Sequence, residues 1–192
     1  MKIPDLKYSL ALGFAGFVFL ACSGGEGGGS TSSPTPDFTV APLISECGGF
    51  VAAGTAPKIP KPDPATYCDA ERLLWNYDAA GKTLGLTNAR IQLNCCGDHS
   101  VKVDKDGDTV VFTEVDAPKD GSRCKCECVF DYAADVSTLE SGMVALRIVR
   151  NVTDAQPATQ IVWEGTLDLS AGMGEVIIST DSAAPWCTPP AP

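Results

Sequence analysis

The chain has 192 residues, a formal net charge of −10 and an isoelectric point of about 4.4. A chain this acidic repels phosphate backbones and anionic headgroups, so the charge argues against nucleic acid or an anionic lipid surface as a partner. Once an N-terminal segment is set aside, about 150 residues remain, which is the size of one ordinary domain. A domain of this size can bury a core of its own, so neither disulfides nor a metal are compulsory for folding.

Residues 1–21 predict a secretory signal peptide. Lys2 and Lys7 precede the apolar run LALGFAGFVFLA, which stops at Cys22. A charged start, a short apolar core and small residues before a cleavage point are typical of such signals. The run is shorter than the roughly 20 apolar residues that a membrane-spanning helix needs, so we expect cleavage and not a span.

The end of this run, FLAC, resembles the bacterial lipobox. The resemblance implies that the Cys22 thiol takes a diacylglycerol and that cleavage leaves Cys22 as the new N-terminus; Phe19 stands where that family of signals more often has leucine. Ser23 follows the cysteine, and by similarity to lipoprotein sorting in Gram-negative bacteria a residue other than aspartate there implies the outer membrane. We therefore expect a protein of the bacterial cell envelope, held to a membrane by a lipid anchor.

A tether and a folded domain follow the anchor. Residues 22–37 include the Gly/Ser-rich stretch SGGEGGGSTSSPTP. Such a chain cannot bury a core and behaves as a flexible tether. The domain is expected over residues 38–192, with a Pro-rich loop at 56–64 and a tail at 182–192.

From residue 71 onward the hydrophobic pattern is mostly two-fold, which is typical of strands. Leu73, Trp75 and Tyr77 fall on one face of RLLWNYD, and VKVDKDGDTVVFTEV predicts a hairpin about its Asp-Gly pair. Further alternating runs are ARIQLNC, RCKCECVF, MVALRIVR, IVWEGTLDLS and EVIIST. About seven or eight short strands predict an all-β fold, an antiparallel β-sandwich of the immunoglobulin-like kind. A short helix between Asp69 and Gly81 is the alternative for the first run.

The stretch from WNYD to VALRI resembles a group of uncharacterised bacterial lipoproteins. The group shares an Asn-Cys-Cys strand end, a hairpin, a Cys-x-Cys-x-Cys strand and an L-x-x-G turn before the next strand; here these read NCC, GDTVVFTE, CKCEC and LESG. The likeness covers residues 73–150. It implies the same sandwich fold and lipid anchor, and it implies no reaction, because no activity is established for the group.

Eight cysteines remain once Cys22 is lipidated. An even number in a compartment open to the outside favours disulfides. Pairing of the outer cysteines would pin the ends of the domain, but eight cysteines allow many connectivities and the pattern selects none. The disulfide candidates are Cys47, Cys68, Cys95, Cys96, Cys124, Cys126, Cys128 and Cys187.

The clustered cysteines also raise a metal alternative. Neighbouring side chains on a strand point to opposite faces, so Cys95 and Cys96 serve one site only if the strand ends or bulges between them, and the following Gly97 favours an end. Alternate Cα atoms along a strand are about 7 Å apart, so the cysteines of CKCEC should pair across strands, for instance with Cys95, or converge on a metal. Thiolates and an imidazole suit zinc or copper, although the C-x-x-C pair of familiar zinc sites is missing. The candidate ligands of this alternative are Cys95, Cys96, His99, Cys124, Cys126 and Cys128.

Other motifs favour neither calcium nor catalysis. The aspartates of DKDGDT resemble the start of a calcium loop, but glycine comes too early and the position of the bidentate glutamate is Val115, so a hairpin turn explains them. His99 beside two cysteines would allow a Cys–His nucleophile in principle, yet nothing else in the sequence predicts a cleft. We therefore expect no enzyme.

Three functions stay open from the sequence. The first is a non-enzymatic binding or structural module stapled by disulfides, without a cofactor, whose protein or glycan partner the sequence does not identify. The second is an envelope lipoprotein that holds zinc or copper in the two cysteine clusters. The third is an envelope thiol-redox protein. The state of the cysteines distinguishes the three.

Overall fold

Alternating apolar residues form nine strands in the described part of the chain. The computed structural model describes residues 40–49 and 68–181. The strands are, in chain order, β1 (Val40–Ile44), β2 (Glu71–Asp78), β3 (Thr83–Asn94), β4 (Gly97–Asp106), β5 (Thr109–Pro118), β6 (Glu127–Val136), β7 (Met143–Val152), β8 (Thr159–Asp168) and β9 (Met173–Ser179).

Several regions discussed above lie outside the described residues. They are the expected signal peptide 1–21, the tether 22–37, the Pro-rich loop 56–64 and the tail 182–192, and with them Cys22 and Cys187. Their assignments stay predictions. Within the described ranges, no helix is long and apolar enough to cross a membrane.

The nine strands form two sheets. The five-stranded sheet has the order β1-β6-β3-β2-β9, and all its neighbours are antiparallel. The four-stranded sheet has the order β4-β5-β7-β8, in which β5 and β7 are parallel. This parallel pair arises because the chain leaves the second sheet after β5, runs through β6 in the first sheet and returns as β7. The expected all-β fold is confirmed, with one parallel pair where a fully antiparallel arrangement was expected.

One apolar core lies between the sheets. β2 contributes Leu73 and Trp75, which are 1% and 7% exposed, so the strand interpretation of this segment is confirmed and the helix alternative is wrong. In β5 the burial alternates from residue to residue, with Val110 and Phe112 both 1% exposed. Because side chains on a strand alternate between faces, each of these strands turns one set of apolar residues to the core.

The hairpin between β4 and β5 has the predicted position. Its loop is Gly107 and Asp108, and Gly107 adopts a φ of 60°, in the left-handed region that short hairpin loops require. Asp106 at the end of β4 accepts a hydrogen bond from Arg147 on β7, with 3.1 Å between Nη1 and Oδ2. The aspartates of DKDGDT are therefore the exposed end of a hairpin.

Candidate functional site

Pairing of β3 with β6 brings the two cysteine clusters together. Leu93 lies opposite Cys128 and Asn94 opposite Glu127 at the end of this ladder. β3 ends at Asn94, and Cys95 and Cys96 form the turn into β4, as the following glycine suggested. On the other side, β6 begins only at Glu127. The expectation that CKCEC is one continuous strand is wrong, because its first two cysteines lie in the irregular segment before β6.

Two disulfides join one cysteine cluster to the other. Cys95 bonds to Cys126 and Cys96 to Cys124, with Cα–Cα distances of 5.8 and 5.7 Å. These distances lie within the usual range for disulfides. The prediction that the cysteines of CKCEC pair across strands, and not with each other, is confirmed.

A third disulfide joins Cys47 to Cys128, with Cα atoms 5.5 Å apart. The sequence pattern selected no partner for Cys47, and the structure joins it to a clustered cysteine and not to another cysteine near the ends of the domain. β1 pairs with β6, and beyond its end the Gly48 N–H donates to the Val129 carbonyl at 3.0 Å, which places Cys47 beside Cys128. Cys68 is also disulfide-bonded.

Asn94 holds the two cysteine segments against each other through its side chain. Its Nδ2 donates to the carbonyl oxygens of Cys124 at 2.8 Å and Cys126 at 3.0 Å. Its Oδ1 accepts the backbone N–H of Cys96 at 3.0 Å. The Cys95 N–H adds a bond to the Cys126 carbonyl at 3.2 Å. Sequence reasoning did not assign a role to Asn94, although asparagine at a strand end is a common side-chain partner for turn backbone.

His99 lies near the cysteines with both ring nitrogens engaged. Nδ1 is 2.6 Å from the Tyr132 hydroxyl and Nε2 is 3.2 Å from the Asn94 carbonyl oxygen. Since the carbonyl can only accept, Nε2 carries the proton and Nδ1 accepts from Tyr132. The ring also packs on Phe130, with centroids 4.3 Å apart. Burial lowers the pKa of His99 below its ordinary value of 6.5, with Asp116 acting in the opposite direction, which agrees with the neutral ring that this hydrogen-bond pattern requires.

Three of the candidate metal ligands converge. The sulfur atoms of Cys95, Cys124 and Cys126 lie within 4.8 Å of one another. The Cys124 and Cys126 sulfurs are 3.3 Å apart. The other candidates, Cys96, His99 and Cys128, are not part of this group. Cys128 lies in the core, 5% exposed, on the disulfide to Cys47.

An ion-pair network anchors the segment that carries Cys124. Arg123 donates to the buried Asp116 carboxylate on β5, and its Nε donates to Asp154 at 3.1 Å. Gly97 at the start of β4 lies against this pair: a Cβ there would overlap Asp116 and come within 3.0 Å of the Arg123 guanidinium. The turn after Cys96 therefore depends on the absence of a side chain at position 97.

A second polar cluster lies buried between the sheets. Asn88 on β3 donates through Nδ2 to Glu71 at 2.9 Å and to Glu114 at 2.5 Å. Arg150 on β7 donates to Glu71 at 2.5 Å and to Glu114 at 2.9 Å. Burial raises the pKa of Glu114 to about 7 despite the nearby Arg150. Sequence reasoning missed this cluster, although the alternation of β5 places Glu114 on the same face as Phe112.

Comparison with protein-family models, with curated proteins and with solved structures found no match to this chain. Its function therefore has to be inferred from its own residues and their geometry.

Proposed function

We propose that the protein is a lipid-anchored component of a bacterial cell envelope, in the outer membrane, and that it acts as a non-enzymatic binding or structural module. The lipobox-like FLAC and the tether after it support the anchor. The anchor is the diacylglycerol on Cys22, and the proposal needs no cofactor.

The observation that carries this proposal is the pairing of the two cysteine clusters as disulfides. Two bonds cross the same joint between the β3–β4 turn and the segment before β6, and a third ties the end of β1 to β6. Disulfides persist in oxidising compartments and are rare in the bacterial cytosol. This usage of cysteine agrees with export, and it makes stabilisation the first role of the clusters.

The contacts of His99 favour a non-enzymatic role. A Cys–His nucleophile needs a thiol and an imidazole nitrogen free to take its proton. Here the ring nitrogens are engaged by Tyr132 and Asn94, and the nearby cysteines are bonded. Recognition of a protein or glycan partner is then assigned to the loops of an immunoglobulin-like sandwich, where a rigid scaffold positions variable segments.

Two measurements test this proposal. The mature chain, exported to an oxidising compartment, is weighed intact with and without alkylation; each disulfide lowers the mass by about 2 Da, so full pairing of eight cysteines gives a loss of about 8 Da. Several alkylatable cysteines would contradict the structural role. The anchor is tested by labelling with radioactive palmitate and by membrane association, each compared between the wild type and Cys22→Ser. Equal membrane association of the two chains would overturn the anchor.

A second candidate function is thiolate metal binding in the envelope, with zinc or copper as the cofactor. The convergence of the Cys95, Cys124 and Cys126 sulfurs within 4.8 Å favours it, because soft metals are bound by clustered thiolates. Native mass spectrometry of the exported protein tests it. A metal-sized adduct that acid or a chelator removes supports this function, and an adduct-free spectrum of the reduced protein after metal addition excludes it.

A further inference from the structure

The geometry points to a site for monovalent copper that opens only on reduction, formed by the thiolates of Cys95, Cys124 and Cys126. In the oxidised protein Cys95 and Cys126 are bonded to each other and Cys124 is bonded to Cys96, so none of the three sulfurs is available as a thiolate ligand. In the reduced protein they become three soft ligands on one side of the β3–β6 joint. This inference rests on the second candidate function and deepens it, since it names the metal and the condition for binding.

The arrangement of the three sulfurs does not depend on the disulfides alone. The last ladder pair, Asn94 opposite Glu127, fixes where the two segments meet. The Asn94 side chain then bonds the backbone on both sides, at Cys96, Cys124 and Cys126. Because these hydrogen bonds involve no sulfur, they hold the thiols in place after the S–S bonds are opened, and a preorganised set of ligands binds a metal at lower entropic cost.

A reductant can reach this part of the molecule. Cys96 and Cys126 are exposed and Cys95 and Cys124 are half-buried, so each of the two disulfides has one accessible end. Exchange requires attack by a thiolate on such a sulfur. An external dithiol transfers two electrons and two protons to each disulfide, which gives two thiols while the dithiol becomes a disulfide. Binding of the metal then displaces the protons of the coordinating thiols.

The number and kind of ligands favour copper over zinc. Structural zinc is almost always four-coordinate and tetrahedral. Reduction also frees the Cys96 thiol, but Cys96 does not belong to the group whose sulfurs all lie within 4.8 Å of one another, so the converging group has three sulfurs. In a Cys₃His zinc site an imidazole is the fourth ligand, but both ring nitrogens of His99 are bound to Tyr132 and Asn94. Thiolates bind Cu(I) as well as zinc and iron–sulfur clusters, and Cu(I), unlike structural zinc, does not require a fourth ligand. A three-sulfur group therefore fits Cu(I) better than Zn²⁺.

The test uses the full mature chain, purified once oxidised and once after treatment with dithiothreitol and anaerobic desalting. Cu(I) is supplied as its bicinchoninate complex, and transfer to the protein is read from the loss of the complex's colour. We expect no transfer to the oxidised chain and one Cu(I) per reduced chain. Transfer to the oxidised chain would overturn the gating. Binding of Zn²⁺ in preference to Cu(I) would overturn the choice of metal while leaving the second candidate function standing, and binding of neither metal would overturn both.

Variants distinguish a copper site formed by the fold from copper binding by thiols that act independently of it. Cys95→Ser with Cys126→Ser removes two of the three ligands and should abolish transfer, whereas Cys47→Ala with Cys128→Ala removes a disulfide outside the proposed site and should leave one Cu(I) per chain. Asn94→Ala should weaken Cu(I) binding roughly 10- to 100-fold, as loss of outer-shell support does at other metal sites. Reduced protein in urea is the second control. Equal affinity there would show that the fold contributes nothing and would overturn the proposal.

Discussion

Glu114 and Arg150 are direct partners on the parallel strands β5 and β7, and the Arg150 Nε donates to the Glu114 carboxylate at 2.9 Å. The same guanidinium reaches Glu71 on the other sheet at 2.5 Å. Burial lowers the pKa of Arg150, but the charges of Glu114 and Glu71 more than offset this, and the net shift is upward. One arginine thus faces two buried carboxylates. When both carboxylates are ionised, they outnumber the arginine by one negative charge, which is unfavourable in a buried site.

Glu114→Gln should raise stability most at high pH. The folded pKa of Glu114, about 7, lies above the ordinary value of 4.5, so the folded state binds a proton that the unfolded chain releases between these values. The contribution of Glu114 to stability is therefore present below pH 4.5 and is lost as pH rises through 7. Relative to the wild type, we expect the variant to gain on the order of 2 kcal/mol between pH 5 and pH 8, measured by urea unfolding at both pH values.

The control is Glu164→Gln, at an exposed position on β8. The free energy of unfolding of this variant should differ from that of the wild type by the same amount at both pH values. If the free energy of unfolding of Glu114→Gln differed from that of the wild type by the same amount at both pH values, the Glu114 carboxyl of the wild type would not titrate near neutral pH.

His99 should act with the opposite sign. Its pKa is lowered in the folded state, chiefly by burial, so the unfolded chain takes up a proton at pH values where the folded chain does not. The contribution of His99 to stability is present above pH 6.5, and it is lost as the pH falls from 6.5 through the pKa of the folded state. Since His99 is the one histidine of the chain, its ring signal in a proton NMR titration is unambiguous, and we expect a midpoint below 6.5.

His99→Gln is the matched variant, because an amide can accept from Tyr132 and donate to Asn94. It should lose less stability than the wild type when the pH falls from 7 to 5. An NMR midpoint at or above 6.5 would contradict the burial of the ring.

The two disulfides between the clusters should be partly redundant. Cys95–Cys126 and Cys96–Cys124 close nearly the same loop, with sequence separations of 31 and 28. Either one alone restricts the unfolded chain almost as much as both together. Removing both should therefore cost more than the sum of the two single removals, with a total of about 3 kcal/mol or more. Chemical unfolding of the three serine-pair variants measures this, and strict additivity would argue against shared loop closure.

Cys47–Cys128 closes a much longer loop, with a separation of 81 residues. Its removal by Cys47→Ala with Cys128→Ala should cost about 4 kcal/mol in the loop-entropy model. A loss smaller than that of either cluster disulfide would show that loop length is not what sets the stabilisation.

Gly97→Ala should destabilise the fold although alanine is the smallest change possible. The added methyl group would overlap Asp116, whose side chain is 2% exposed and bound to Arg123, so it cannot move aside freely. Overpacking of this kind costs about 1–3 kcal/mol. Ser100→Ala, at an exposed position on the same strand, should change stability by less than about 0.5 kcal/mol, and equal effects of the two would show that the space at position 97 is not restricted.

Features governed by neighbouring residues were predictable from the sequence. The two-fold pattern of RLLWNYD predicted β2, and the Asp-Gly pair predicted the β4–β5 hairpin, because side-chain alternation and short-loop geometry depend only on residues close in the chain. Gly97 indicated that β3 ends near the two cysteines, although the strand ends at Asn94, before Cys95, and not between Cys95 and Cys96.

Which distant segments meet was decided only by the tertiary structure. Cys47 bonds Cys128 because β1 pairs with β6, and Glu114 meets Arg150 because the chain crosses to the other sheet between β5 and β7. A disulfide or ion pair needs its atoms within a few ångströms, and only the register of non-neighbouring strands sets that distance. The sequence by itself determined that the domain is built of strands and rich in cysteines; the folded register decided which cysteines, and which buried charges, are partners.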